Sequence, residues 1–361
     1  MRRDFKLTVL CGIIGRPSVG KTTIFNLLTG AAFSRGVNQG SAKIPDERLE
    51  YLATIYEPSK TTFAALDMVD IPGFDNDEIT EQNFKIFLEE VRKADALVHV
   101  VRAFKDESVW HVDGSIDIIR DLNTINSELI LNDLELVETR IERIETSRQK
   151  GVPGNKTELS ALLKCREALE NEIHIGEADL TSGERESIQS LEFLTFKPMI
   201  IAVNVDEEQL LEGYPQKEEV HAWAKDKGGE IFEIAAILEK EIRELEPDER
   251  ELFLSELGIE EPGVAKLAKA VYSSLDLISF LTVGKNEVKA WTVEKGLAAK
   301  KAAGKVHSDI ERGFIRAEVV SFNDFKICGS EKAAKEKGLY RLEGKEYPVK
   351  DGDIINFRFN V

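Results

Sequence analysis

The stretch Gly12-Ile13-Ile14-Gly15-Arg16-Pro17-Ser18-Val19-Gly20-Lys21-Thr22-Thr23 constrains this chain more than any other feature. Gly15 to Thr22 fills every fixed position of the pattern G-x-x-x-x-G-K-[ST]. The residues before it, Leu7-Thr8-Val9-Leu10, are apolar and β-branched, as a buried strand should be. Those after it, Ile24-Phe25-Asn26-Leu27-Leu28, read as the first turns of a helix. Strand, glycine loop and helix together predict a phosphate-binding loop. Glycines let backbone N–H groups converge on phosphate oxygens, and the helix N-terminus adds partial positive charge. Residues Gly15 to Thr23 are therefore expected to line a nucleotide's phosphates. Lys21 is expected to neutralise the β- and γ-phosphates, and the Thr22 hydroxyl to ligate Mg²⁺.

A second motif supports the first. The run Ala64-Ala65-Leu66-Asp67-Met68-Val69 reads as a strand and ends in Asp70-Ile71-Pro72-Gly73, a D-x-x-G. In phosphate-loop NTPases such an Asp stands near Mg²⁺, and the Gly N–H reaches the γ-phosphate. Further strands are expected at Ala96–Val101, Pro198–Val203 and Ile231–Ile234. His99, inside the first of these, reads as a satisfied core histidine. Strands alternating with helices predict a doubly wound, mostly parallel α/β sheet.

Residues 126 to 195 break that alternation. Ile130, Leu134, Val137, Ile141 and Ile144 repeat at heptad spacing. Gly151-Val152-Pro153-Gly154-Asn155 punctuates the run, and Leu159, Leu162, Cys165, Leu169 and Ile173 continue it. Two antiparallel helices of about 20 residues, roughly 30 Å long, are expected to form an inserted coiled-coil arm. The nucleotide-binding domain then comprises residues 1–125 and 196–275. From residue 276 the texture becomes short strands and glycine-bearing turns, which predicts a small α+β domain over 276–361.

Bulk composition narrows the setting. With 361 residues and 42% hydrophobic content, two or three domains with ordinary cores are expected. No window approaches the roughly 18 apolar residues of a membrane span, and no cleavage site follows the basic start. Three scattered cysteines, with no C-x-x-C pair, read as reduced thiols in a cytoplasmic protein. The net charge of −18 argues against general nucleic-acid binding. Residues 276–361 nonetheless hold 16 basic against 13 acidic residues, which hints at a more anionic partner for that end.

The segment from "LISFLTVGKNEVKAWTVEKGLAAKKAAGKVHSDIERGFIRAEVVSFNDF" to "YRLEGKEYPVKDGDIINFRFNV" resembles the TGS domain, a ubiquitin-like β-grasp. Together with the order of nucleotide domain, coiled coil and TGS domain, it makes the whole chain similar to the YchF-type, Obg-like ATPases. The resemblance bears on the base. GTPases of this class read guanine with N-K-x-D, whereas this chain has Asn204-Val205-Asp206-Glu207. It implies a preference for ATP, with Asn204, Val205 and Glu207 at the adenine and the backbone of Ala235 and Ala236 closing the pocket. GTP remains the alternative. Ribosome or ribosomal RNA is the implied partner, met through the arm and TGS domain by a monomer.

The cutting machinery departs from the family. Val37-Asn38-Gln39-Gly40 and Pro45-Asp46-Glu47-Arg48-Leu49 align with the first switch, which places Ser34 where relatives have a Mg²⁺-reaching Thr. After the D-x-x-G, Phe74-Asp75-Asn76-Asp77-Glu78 stands where relatives have a longer glycine-rich loop bearing a histidine. Phe74 takes the place of the water-orienting Gln of Ras-like enzymes. Ser18 replaces an Asn linked to monovalent-cation use. Slow ATP hydrolysis by a nucleotide-dependent switch is expected, the competing reading being a non-hydrolysing nucleotide-binding module.

Overall fold

The structure is a computed structural model in which residues 9–31, 37–73, 81–149 and 155–360 are described. Two sheets of six strands organise the chain. The first contains β1 (Leu10–Ile14), β2 (Asn38–Lys43), β4 (Ala65–Asp70), β5 (Ala96–Arg102), β6 (Met199–Asn204) and β7 (Glu230–Ile234), in the order β2-β4-β1-β5-β6-β7. From β4 to β7 every pairing is parallel. Such a sheet carries helices on both faces, so its central strands are apolar throughout. Every residue of β5 and β6 is buried.

The first strand differs in place from the sequence expectation. It runs Leu10–Ile14, while Leu7 and Thr8 lie outside the described residues. Cys11, Ile13 and Ile14 are fully buried, so the apolar run that fills the core is the one that leads directly into Gly15. His99 is fully buried in β5 as expected, but neither ring nitrogen has a hydrogen-bond partner. Burial and the charge of Lys21 hold its pKa down at about 3, so the ring is neutral.

The chain divides into two compact units, Met1–Gly40 with Asp67–Leu267, and Ser41–Leu66 with Ala268–Val361. In the first, one continuous helix, Ile118–Gln149, does two jobs. Ile118 and Leu122 pack with Val101 and Val203 from the sheet and Val205 just beyond it, and Ile125 and Leu129 pack with Ile14 and Val69. Beyond that root, Ile130, Val137, Ile141 and Ile144 share a core with Leu162, Cys165 and Leu169 of the helix Lys156–Glu170. The heptad seam thus exists as a packed core. At 32 and 15 residues, the two helices are less equal than the spacing suggested. Ile173 lies beyond the second helix and is exposed, so it is not part of the seam. Gly151 to Gly154 fall outside the described residues.

The second unit holds β3 (Lys60–Thr62), β8 (Leu277–Thr282), β9 (Glu287–Glu294), β10 (Phe314–Ser321), β11 (Arg341–Glu343) and β12 (Asp353–Phe359), ordered β11-β10-β12-β8-β9-β3. The helix Ala299–Val306 buries Ala299, Ala302 and Ala303 against Phe280, Phe314 and Phe357, which gives the β-grasp arrangement of helix on sheet. Ser41–Leu66, placed by the sequence reading in the nucleotide domain, belongs to this unit. There β3 pairs in parallel with β9, Arg48 holds Asp46 and Asp351 at 2.8 and 2.6 Å, and Tyr56 stacks on Phe325.

Candidate functional site

Between the end of β1 and the helix Lys21–Thr29, residues 15–20 form a loop at the carboxyl edge of the sheet. Gly15 has φ 147°, and a Cβ there would meet the Val100 carbonyl oxygen of β5 at 2.3 Å. Only glycine fits, because β5 passes directly beneath. No side chain caps the helix, whose N-cap is Gly20, so its first N–H groups are presented to a ligand. Pro17 is half-buried and Ser18, in a left-handed conformation, is exposed. Thr22 and Thr23, on the first turn, are half-buried. Val19 turns its side chain into the core.

Lys21 is buried, and its Nζ donates to the Arg16 carbonyl oxygen at 2.7 Å. Burial lowers its pKa to about 8; Asp70 opposes that shift and Arg16 adds to it. The Thr22 hydroxyl donates to Asp70 Oδ2 at 2.7 Å. The two meet because β4 lies beside β1 with Asp70 opposite Ile13. Gly73 closes the site from above. A Cβ there would stand 2.6 Å from the Gly15 carbonyl oxygen and 2.8 Å from Lys21 Nζ.

These features fit a nucleotide's phosphates with a divalent ion. The cradle under Gly73 has room for no side chain. A hydroxyl and a carboxylate in contact offer the hard oxygens Mg²⁺ prefers, and Mg²⁺ usually takes its remaining ligands from phosphate and water. Among the described residues no group of three or more His, Cys, Asp or Glu could hold a metal unaided.

At the base end the geometry bears on each of the expected residues. The Asn204 side chain is buried and committed at both ends: Nδ2 donates to the Val19 carbonyl oxygen at 3.0 Å, and Oδ1 accepts from Ala236 N–H at 3.3 Å. It clamps the phosphate loop to the turn after β7. The Val205 side chain sits in the core with Val101, Val203 and Ala235, so it covers no base. Glu207 is exposed on the first turn of the helix Glu207–Glu212, while Asp206 and Gln209 form the capping box. Ala235 and Ala236 are buried at the start of the helix Ala236–Glu244. Ser34 and Phe74 to Glu78 lie outside the described residues.

Arg16, expected at the phosphates, sends its side chain elsewhere. Its guanidinium is buried, and Nη2 meets both carboxylate oxygens of Asp113 at 3.3 and 3.2 Å. Asp113 lies in the segment between β5 and the helix Ile118–Gln149, which sequence reasoning passed over. Arg102, at the end of β5, organises that segment by donating to the carbonyls of Phe104, Asp106 and Val109. The Asp113 N–H donates to His111 Nδ1 at 3.2 Å, so the ring proton is on Nε2, which meets Asp121 Oδ2 at 3.1 Å. The available signal was position: a histidine and acidic residues follow a central strand at the edge where α/β sites gather.

Comparison with known proteins agrees with this geometry. A family model described as 50S ribosome-binding GTPase matches residues 10–135. Another, named for the C-terminal domain of YchF GTPases and described as a protein of unknown function, matches residues 277–360. The chain is 40% identical to the ribosome-binding ATPase YchF of Bacillus subtilis, over 98% of this chain and 100% of that one. It is 36% identical to Obg-like ATPase 1 of Oryza sativa subsp. japonica, over 97% of this chain and 92% of the relative. The solved structure of the Schizosaccharomyces pombe YchF GTPase superposes with a TM-score of 0.86 at 30% identity, covering 97% of this chain and 98% of that one. The chain is a phosphate-loop NTPase and belongs to the YchF family.

Proposed function

We propose that this protein binds ATP with Mg²⁺ at the phosphate loop, hydrolyses it slowly and acts as a nucleotide-dependent switch on the ribosome. The observation that carries the reading is one cluster: Thr22 bonded to Asp70, with buried Lys21 beside them under Gly73. In it, Lys21 neutralises phosphate charge, the backbone N–H groups of residues 15–23 other than Pro17 cradle the oxygens, and the Gly73 N–H senses the γ-phosphate. Thr22 and Asp70 would hold Mg²⁺, which supplies charge neutralisation to the transferring phosphoryl group. Ser34 is the further metal contact proposed from the first switch.

Ribosome association is supported by relatives named ribosome-binding ATPase, as in Bacillus subtilis and Haemophilus influenzae. The arm and the C-terminal β-grasp are the proposed contacts, the latter favoured by its basic excess. The setting is the cytoplasm. The working form is taken to be a monomer.

Base choice rests on Asn204, Glu207 and the backbone of Ala235 and Ala236. A glutamate in place of the aspartate of N-K-x-D holds its carboxylate farther out, away from guanine N1 and N2. Calorimetric titration should give tighter binding of ATP than of GTP, and Glu207→Asp should narrow the gap. An unmatched buried polar group costs about 1–3 kcal/mol, roughly fivefold to a hundredfold in affinity. Equal affinities in the parent would contradict the adenine reading. Val205→Lys is unsuited to this test, because the lysine would enter the core.

A further inference from the structure

We propose that Asp113 is a positioning residue for nucleotide turnover, acting through Arg16 to hold the phosphate loop and through Arg120 to tie that loop to the root of the arm. The proposal rests on the phosphate-loop reading above. Arg16 follows Gly15 directly, and its two polar ends serve different partners. Its carbonyl oxygen receives Lys21 Nζ, while its guanidinium is held on Asp113. One residue therefore connects the phosphate-facing amine to a carboxylate 97 positions away.

A guanidinium cannot shed its proton, so an arginine 1% exposed needs a compensating carboxylate close by. Asp113 supplies one, and it is shared. Arg120 Nε lies 3.4 Å from Asp113 Oδ2, and Arg120 also donates to Asp121 and to the Ser115 carbonyl oxygen. Arg120 and Asp121 stand on the first turn of the helix that extends into the arm. Its neighbours Ile118 and Leu122 are locked into the core of the sheet. The same helix start is fixed from the other side by Gln216, whose Oε1 accepts from Ile118 N–H and whose Nε2 donates to Asp117.

Two arginines and two carboxylates thus form a balanced set, with one arginine on the phosphate loop and one on the arm helix. The Asp113 charge is the member common to both. Neutralising it removes the carboxylate that both arginines meet, and Asp121 bonds Arg120 and His111. The phosphate loop then loses a lateral restraint, while Lys21, Thr22 and Asp70 keep their own bonds. Lost preorganisation appears as weaker binding and a higher KM, because the loop must be ordered when nucleotide arrives.

The test measures ATP affinity, KM, kcat and thermal stability for the parent, Asp113→Asn, Asp113→Glu, Arg16→Gln and the double variant Arg16→Gln with Asp113→Asn. Asp113→Asn should weaken ATP binding and raise KM by about threefold to thirtyfold, the usual range for residues that act through a network. Asp113→Glu should recover much of that loss, and the double variant should be no worse than the worse single. Should Asp113→Asn not fold, Asp113→Glu and Arg16→Gln carry the comparison, with Arg16→Gln the weaker binder. Affinity and KM within twofold of the parent in Asp113→Asn would overturn the proposal, as would additive losses in the double variant. A parent that binds no ATP would overturn the phosphate-loop reading and this proposal together.

Discussion

Replacing Lys21 with alanine should abolish ATP binding while leaving the fold standing. The Lys21 amine is buried and its bond to the Arg16 carbonyl oxygen is local, so its loss removes no long-range packing. Its amine is the positive charge aimed beneath Gly73, where a phosphate would sit. Removing one member of a charge-assisted pair in a buried site costs about 2–5 kcal/mol, roughly thirtyfold to several thousandfold in affinity. There is also a pH signature. The free amine has its pKa lowered to about 8, and a bound phosphate would raise it. Parent affinity should therefore hold below pH 8 and fall as pH rises above it, while Lys21→Ala shows no such fall. Calorimetry at neutral and alkaline pH checks both parts. An alanine variant that binds ATP as tightly as the parent would remove the site assignment.

The second large effect is expected at Asn204. Asn204→Ala leaves the Val19 carbonyl and the Ala236 N–H without their partner, both in the buried clamp between the phosphate loop and the turn after β7. Each orphaned group costs about 1–3 kcal/mol, so a loss of roughly 2–5 kcal/mol in unfolding free energy is expected. The phosphate loop is one half of that clamp, so ATP affinity should fall as well. Denaturant unfolding with and without nucleotide separates the two losses. Stability within about half a kcal/mol of the parent would show that the clamp carries little, since changes of that size are ordinary for surface substitutions.

Both residues show how much was legible in the sequence. That Lys21, Thr22, Asp70 and Gly73 come together was readable because it follows from local spacing: a glycine loop between strand and helix, and a D-x-x-G after the adjacent parallel strand. The heptad positions Ile130, Val137, Ile141 and Ile144 were readable for the same reason, since periodicity is a local property. Asn204 was found as a motif residue, but its clamping bonds were not foreseen. Its clamp depends on Val19 and Ala236, which only the assembled sheet brings to its two ends. Arg16 and Val205 were assigned to the nucleotide by their motif positions, whereas their side chains point to Asp113 and into the core. Asp113 carried no motif and was passed over, because its partner Arg16 lies 97 positions away in the sequence. Lys60–Thr62 gave no sign of joining the C-terminal sheet, because the strand is only three residues long.

The most direct measurement is single-turnover hydrolysis of γ-labelled ATP by nucleotide-free protein, alone, with ribosomes, and after chelation of Mg²⁺. Lys21, Thr22 and Asp70 would supply the charge-neutralising set proposed above, while in the sequence the residue after the D-x-x-G is Phe74, which cannot hydrogen-bond. The account predicts turnover on the order of 10⁻³ per second or slower for the protein alone, the range of unstimulated switch NTPases. It predicts a faster rate with ribosomes and none without Mg²⁺. Turnover near one per second by the isolated protein, or a rate indifferent to chelation, would contradict it.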